Sequence, residues 1–177
     1  EIDIEAEPDM RFRLRYLHAD AYAGYNGVKG MCRVGCWAHA RRKFSDALGL
    51  MPEAMRPDTI AQKVMKLIQQ LYAIEAKAKT LNTEERKNLR DAEAKPVLDQ
   101  IKDFLDQEVG SMAPKSATGK AIKYTLGQWE SLTAYLLDGR LSIDNNVSER
   151  EIKAFVIGRK NWLFADTQRS ATSLAIL

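Results

Sequence analysis

Two acidic side chains, Asp20 and Glu149, stand where a carboxylate could bind a divalent metal ion. Asp20 follows a predicted strand and is the single acid among the eight bases of residues 11–43. A carboxylate at the carboxyl end of a strand is well placed to hold a metal ion, because the backbone polar groups there are already paired. An aspartate that only caps the turn after the strand has the same pattern, so Asp20 alone leaves both interpretations open.

Glu149 lies in the stretch SIDNNVSEREIKAFVIGRKNW, residues 142–162, which is typical of an amphipathic helix entered through a polar turn. Either asparagine of this turn can cap a helix that starts near Val147, and an acid in the first helical turn complements the helix dipole. Glu149 and Lys153 also have the spacing of a helical ion pair. The stretch therefore favours an ordinary surface acid, and the alternative is a metal-binding carboxylate beside phosphate-contacting Arg150 and Lys153.

Three residues of metal-binding type, Cys32, Cys36 and His39, form a C-x3-C-x2-H pattern, with His18 further upstream. A structural zinc ion normally takes four ligands in tight pairs, whereas these positions surround a predicted strand whose side chains alternate. We therefore favour buried, reduced cysteines over a zinc site.

The net charge of +3 is unevenly distributed along the chain. Residues 1–10 carry five acids and no base, residues 11–43 carry eight bases and one acid, and the remainder is close to neutral. A basic block of this kind favours a polyanionic partner, although a solvated cluster of surface charges has the same composition.

The composition is that of a globular protein. The chain of 177 residues is long enough to bury a sizeable core. Its apolar fraction of 45% and charged fraction of 29% are typical of globular proteins. No apolar run approaches the roughly 18 residues of a membrane span, so we expect no membrane partner. The acidic first ten residues lack the basic opening of a signal peptide, and two cysteines suit a reducing cytoplasm.

The predicted secondary structure changes along the chain. Residues 11–19 alternate basic and apolar side chains, which predicts a strand, and MCRVGCW at residues 31–37 predicts a second one. A helix is predicted from Ala38 to Leu48. From Pro57 to about Leu137 the apolar residues recur with the period of a helix.

Three helices are predicted in that block. The second opens near Thr83 and is kinked or broken at Pro96, which lacks an amide proton. The third runs from Lys120 to Gly139. The side chains predicted to be buried are Ile60, Val64, Leu67, Leu71 and Ile74 in the first helix, and Leu98, Ile101 and Leu105 in the second.

Three segments carry long motifs: LHADAYAGYNG (17–27), GCWAHARRKFSDAL (35–48) and GRLSIDNNVSEREIKAFVIGRKNWLFADT (139–167). In their residues, order and spacing, these segments resemble the catalytic core of the large transposase of bacterial insertion sequences, in the insertion-sequence sixty-six family. The resemblance extends from about residue 14 to the end of the chain and includes the helical stretch between the second and third segments.

This resemblance implies a DDE transposase, in which two aspartates and one glutamate of a ribonuclease H-like core hold two divalent metal ions. Asp20 matches the second aspartate and Glu149 matches the glutamate. One ion would activate water or a 3′-hydroxyl and the other would stabilise the leaving oxygen, and Mg²⁺ suits such oxygen ligands. The bases expected to contact DNA phosphates are Arg41, Arg42, Lys43, Arg150, Lys153, Arg159 and Lys160.

The implied fold is of the α/β class: a partial ribonuclease H-like core with a large all-helical insertion. Residues 1–48 would form the front of the core, with strands and a helix. Residues 49–138 would form the helical insertion, and residues 139–177 would close the core and carry the DNN-x-x-ER segment.

The expected function is that of the catalytic-core portion of a bacterial insertion-sequence DNA transposase, with metal-dependent DNA cleavage and strand transfer. The first aspartate of the family lies on an upstream strand that this chain begins too late to contain, so we expect the chain alone to be inactive. The alternative is a catalytically dead remnant, acting at most as a DNA-binding or protein-interaction module. Expected partners are transposon-end and target DNA, further copies of the chain on DNA, and accessory transposition proteins. The expected location is the bacterial cytoplasm, in association with the nucleoid.

Overall fold

A computed structural model describes residues 16–19 and 31–146 of the chain. Over these residues the fold is a mixed α/β arrangement in which helices predominate. The strands are β1 (Tyr16–His18) and β2 (Cys32–Val34). The helices are α1 (Trp37–Gly49), α2 (Ile60–Lys77), α3 (Thr83–Leu89), α4 (Lys95–Glu108), α5 (Ala117–Gly127) and α6 (Trp129–Thr133). Short 3₁₀ turns cover Glu53–Met55, Ala78–Thr80 and Ala134–Leu137, and a π-helical turn covers Arg90–Ala94.

The chain divides into two compact units, residues 1–144 and residues 145–177. Of the described residues, only Asn145 and Asn146 belong to the second unit, and Asn146 is already helical. The division into a front part, a helical insertion and a closing part stays a prediction.

The strands β1 and β2 pair in parallel, with Tyr16 opposite Cys32 and His18 opposite Val34. The pairing continues past the end of β1, because the backbone N–H of Ala19 donates to the carbonyl of Val34 at 3.1 Å. Both predicted strands are therefore confirmed within the described residues, although positions 11–15 of the first lie outside them. The ribonuclease H-like core stays a prediction.

The link between β2 and α1 packs against the segment that closes the helical block. The Gly35 N–H donates to the Ser131 carbonyl at 2.7 Å, and the Trp37 indole N–H donates to the Leu132 carbonyl at 2.8 Å. A side chain at Gly35 would lie 3.1 Å from this backbone, so the close approach favours glycine. Segments almost 100 residues apart thus converge, a point that periodicity alone had left open.

The helices bury one continuous apolar core. Trp37 is fully buried and meets Trp129 edge to face, with ring centroids 6.1 Å apart. The fully or almost fully buried positions of the three longest helices are Trp37, Ala40, Phe44, Ala47 and Leu48 in α1, Ala61, Val64, Ile68, Leu71 and Ile74 in α2, and Leu98, Ile101 and Leu105 in α4.

The face predicted for α4 is confirmed, and that for α2 is partly wrong. Ile60 and Leu67 are only half-buried, whereas Ala61 and Ile68 are fully buried. The buried stripe therefore follows the spacing Ala61, Val64, Ile68, which includes a small residue that an apolar pattern of large side chains misses.

Pro96 does not break its helix. The chain stays helical from Thr83 to Glu108, and Pro96 falls in the first turn of α4, directly after the π-helical turn. In that turn the Lys95 N–H donates to the Arg90 carbonyl, five residues back. A π-helical turn changes the hydrogen-bond register inside a helix, and here it leads into a turn where a proline is tolerated.

The third predicted helix is divided in two, and its predicted span is wrong. Helix α5 begins at Ala117, because the Ser116 hydroxyl accepts from the Gly119 N–H at 3.0 Å and caps the helix. It ends at Gly127, and Gln128 leaves the helical conformation with φ −108°. The Gln128 side chain accepts a hydrogen bond from Arg33 of β2, which holds the chain at this bend.

Candidate metal site and nucleic-acid interface

The predicted metal ligands lie outside the residues that the structure describes. The predicted site residues in this position are Asp20, Glu149, Arg150, Lys153, Arg159 and Lys160. Within residues 16–19 and 31–146, no group of three or more His, Cys, Asp or Glu side chains could hold a metal ion. The site of Asp20 and Glu149 therefore stays a prediction.

The described segments that lead towards the two acids are anchored on one short link of the chain. Ala19, which precedes Asp20, donates its backbone N–H to Val34 at 3.1 Å. Ile143 directly precedes the DNN sequence, and its carbonyl accepts a hydrogen bond from the Trp37 backbone N–H at 3.1 Å. Residues 34–37 thus position both segments.

The aspartate of the DNN sequence, Asp144, is held by helix α2. Its carboxylate accepts a hydrogen bond from the Tyr72 hydroxyl at 3.1 Å. Burial, followed by the charge of Asp144, raises the pKa of Tyr72 far above its ordinary value, so the hydroxyl stays a protonated donor. Tyr72 was not a predicted site residue, because its partner lies 72 residues away and no local pattern marks such a contact.

The segment before Asp144 is held by Arg90, a fully buried side chain of the π-helical turn. Arg90 donates to the carbonyls of Tyr135, Asp138 and Leu141 at distances of 2.8–3.0 Å. It is paired with Glu75, which lies on the same helix as Tyr72. Helix α2 and the π-helical turn therefore fix the path of the chain up to Asp144.

The three bases predicted to contact DNA on α1 are exposed, as a phosphate-binding role requires. The Arg41 guanidinium carbon lies 5.6 Å from the ring centroid of Tyr72, on α2. The Lys43 Nζ lies 4.5 Å from the ring centroid of Tyr124, on α5. The group therefore spreads over the outer side of α1, and Arg41 and Lys43 contact different neighbouring helices.

The cysteine pattern is split between two environments. Cys36 is buried and Cys32 is exposed, so the expectation of two buried cysteines is right for Cys36 and wrong for Cys32. Cys32 stands at the exposed first position of the short strand β2, which becomes buried only at its other end, at Val34.

Comparison with known proteins identifies the family. Residues 9–173 match the family described as Transposase IS66 family. The chain belongs to this family. The resemblance read from the three motif segments is thus confirmed, and the family match spans Asp20 and Glu149.

Three similar proteins come from Sinorhizobium fredii (strain NBRC 101917 / NGR234). Uncharacterized protein y4jD is 35% identical over 184 residues, which cover 98% of this chain and 35% of that protein. Uncharacterized protein y4hP is 34% identical over 175 residues, which cover 91% of this chain and 32% of that protein. Uncharacterized protein y4qI is 32% identical over 163 residues, which cover 86% of this chain and 29% of that protein.

The chain spans about a third of the length of these IS66-family relatives. No solved structure matches it. Within residues 16–19 and 31–146, the structure has no helix that is long and apolar enough to cross a membrane.

Proposed function

We propose that this chain is the catalytic-core portion of a bacterial insertion-sequence DNA transposase, which cleaves DNA and transfers strands with divalent metal ions. The observation that carries the proposal is the IS66-family match over residues 9–173. Asp20 and Glu149 are the proposed metal ligands, and Mg²⁺ is the proposed ion because it prefers oxygen ligands. When bound, such ions activate the attacking oxygen and stabilise the leaving oxygen.

The packing of the described residues supports this proposal. A metal site needs its ligands held in a fixed geometry by surrounding contacts. Ala19 is bonded to Val34, and Asp144 is bonded to Tyr72, so the chain is fixed next to Asp20 and five residues before Glu149. The proposed arrangement of the complete enzyme is a ribonuclease H-like core that carries the helical block as an insertion.

The proposed substrate is DNA, at transposon ends and at the target. Cationic side chains neutralise phosphates, release counterions and fix the position of the duplex without reading its sequence. The proposed contacts are Arg41, Arg42, Lys43, Arg150, Lys153, Arg159 and Lys160. Assembly of further copies on DNA and contacts with accessory transposition proteins belong to the same proposal.

Excision of a marked element tests the proposal. The protein is expressed from the whole reading frame that contains these residues, with an element bounded by the DNA that flanks the gene. Asp20→Asn and Glu149→Gln each remove one metal-binding charge and keep the side-chain size. Each is expected to lower Mg²⁺-dependent excision by more than about 100-fold, because the two ions act as one unit.

Matched controls are Asp58→Asn and Glu84→Gln, the same changes at exposed positions. Glu84 lies in the first turn of α3, the position predicted for Glu149 in its own helix. Both controls should excise the element at the wild-type rate. Excision that survives Asp20→Asn or Glu149→Gln contradicts the proposal, and DNA binding without any excision favours the catalytically dead remnant.

A further inference from the structure

A second set of basic side chains continues the exposed bases of α1 onto helix α5. The two helices pack side by side in the core, and Lys43 reaches across to the ring of Tyr124. Lys120 and Lys123 are exposed on α5. We call this surface the α1–α5 basic face; its members are Arg41, Arg42, Lys43, Lys120 and Lys123.

The two lysines of α5 point away from the core. The buried residues of this helix are Thr118, Gly119, Ala121, Ile122 and Thr125. At 100° per residue, Lys120 and Lys123 lie on the opposite side and are neighbours on the helix surface. Arg42 has the same relation to the buried side of α1, where the exposed Asp46 lies one turn further along the helix. The outward sides of the two adjacent helices together therefore carry more bases than acids.

The basic face has no acids of its own on α5. Residues 109–129 contain no aspartate or glutamate and three lysines, Lys115, Lys120 and Lys123. The neighbouring arm, residues 83–108, has the opposite character. Its acids are Glu84, Glu85, Asp91, Glu93, Asp99, Asp103, Asp106 and Glu108.

The acidic arm and the α1–α5 basic face also differ in whether their lysines form ion pairs. In the acidic arm, Lys87 pairs with Asp91 at 2.6 Å and Lys102 pairs with Asp106. Among the ion pairs of the described residues, none includes a base of the α1–α5 basic face. Within the described residues the face therefore keeps a net positive charge, five bases against the exposed Asp46 of α1, which favours an external anion.

We propose that the α1–α5 basic face binds the phosphate backbone of DNA, with Lys120 and Lys123 as contacts that the motif analysis did not include. This inference rests on the proposed function, which supplies DNA as the polyanion, and deepens it by naming a surface. The helical block was expected to be near neutral as a whole. The structure separates its charge, so that α5 joins the bases of α1 and the acidic arm does not.

A backbone of phosphates fits this face better than an acidic protein segment does. The large exposed apolar side chains of the described residues are Leu50, Met55, Val109 and Leu137. Leu50 caps the C-terminal end of α1, beyond the bases of the face, and none of the four lies among those bases. Protein interfaces usually bury apolar anchors at their centre, whereas phosphate contacts need only cations in a row.

Salt-dependent DNA binding by the 177-residue chain tests this inference. The probe is a short duplex of arbitrary sequence, and the measured quantity is the slope of the logarithm of the binding constant against the logarithm of salt concentration. The double variant Lys120→Ala, Lys123→Ala should lower the magnitude of this slope by about 2, since each lost phosphate contact is worth about 0.9. The double variant Lys120→Arg, Lys123→Arg keeps both positive charges and should have the wild-type slope.

The matched control is Lys87→Ala with Lys95→Ala, which removes the same charge from the acidic arm. It should leave the slope at the wild-type value. An unchanged slope in the Lys120, Lys123 alanine variant overturns the proposal, as does an equal fall in the control. Binding to polyglutamate but not to the duplex also overturns it, in favour of an acidic protein partner.

This binding test is independent of the excision test, because it needs neither metal ions nor transposon ends. If the 177-residue chain binds DNA through the α1–α5 basic face but the protein from the whole reading frame excises nothing, the proposed catalytic function alone would be overturned. A chain that excises normally after both lysines are replaced, with an unchanged salt slope, would sink only the assignment of this face.

Discussion

The guanidinium of Arg90 forms two parallel hydrogen bonds, each of 2.8 Å, with the carboxylate of Glu75. The other N–H groups of Arg90 donate to the carbonyls of Tyr135, Asp138 and Leu141, so all five donors of the side chain are used. One buried side chain thereby connects the π-helical turn, helix α2 and the segment that leads to Asp144.

Arg90→Met is expected to lower the free energy of unfolding by about 3–5 kcal/mol. It leaves the mostly buried Glu75 carboxylate without its partner and three carbonyls without their donor. Urea unfolding followed by circular dichroism measures the loss. The control is Lys87→Met, which breaks an exposed helical pair with Asp91 and should cost about 0.5 kcal/mol or less. Similar losses in both variants would show that the Arg90 network contributes no more than a surface pair.

The hydroxyl of Tyr135 has no hydrogen-bond partner within the described residues, although the side chain is fully buried. Burial of an unbonded hydroxyl opposes folding. Tyr135→Phe keeps the ring beside the Arg90 guanidinium, 5.0 Å from the ring centroid, and removes only that hydroxyl. We expect the free energy of unfolding to rise by about 1 kcal/mol.

The control for this change is Trp37→Phe, which removes the indole N–H that donates to Leu132 and some buried volume. It should be destabilising in the same urea titration. A Tyr135→Phe variant that is less stable than the wild type would show that the hydroxyl has a partner after all.

Gly139 lies so close to the start of α3 that only glycine fits. A Cβ atom at this position would stand 1.9 Å from the carbonyl oxygen of Thr83. Gly139→Ala should therefore force the two backbones apart and lower the free energy of unfolding by about 1–3 kcal/mol. The measurement is the same urea titration, in which the unfolding midpoint should fall. Gly127→Ala is the control, because nothing lies within 4 Å of its added Cβ. Equal stabilities of these two variants would contradict the close approach at Thr83.

Helical periodicity was sufficient to predict the long helices and part of their buried faces. Leu98, Ile101 and Leu105 follow a spacing that is read from the sequence alone, and all three are buried. The end of α5 at Gly127 could not be predicted in this way. At this end Gln128 accepts a hydrogen bond from Arg33, a residue 95 positions away, and no local pattern marks such a contact.

The candidate site shows the same limit. The exposure of Arg41, Arg42 and Lys43 follows from their position between buried residues of one helix. The contact of Tyr72 with Asp144 has no local signal, because a hydroxyl donor on a helix is ordinary until the fold brings an acceptor to it. Asp20 and Glu149 were selected by motif resemblance, and their pattern alone also fits a turn cap and a surface acid.

The carboxylate of Asp138 gives the fold a pH dependence. Its oxygens accept hydrogen bonds from the backbone N–H of Arg140 at 2.8 Å and from the Arg140 guanidinium at 3.0–3.1 Å. The Arg140 side chain is the main cause that holds the pKa of Asp138 below its ordinary value. A carboxyl whose pKa is lower when folded stabilises the protein above the unfolded pKa of about 4, and this stabilisation is lost as the pH falls through the folded pKa.

Asp138→Asn should therefore lower the free energy of unfolding at pH 7, by about 1–2 kcal/mol, because it weakens charge-assisted hydrogen bonds. The difference from the wild type should shrink as the pH falls below about 4, because the Asp138 carboxyl is then protonated first in the unfolded chain and, at lower pH, in the folded protein. Urea unfolding at a series of pH values measures both. Asp99→Asn, an exposed change on α4, should show no comparable loss at pH 7. An Asp138→Asn deficit that stays constant down to about pH 3 would mean that its cause is packing and not the charge of the carboxylate.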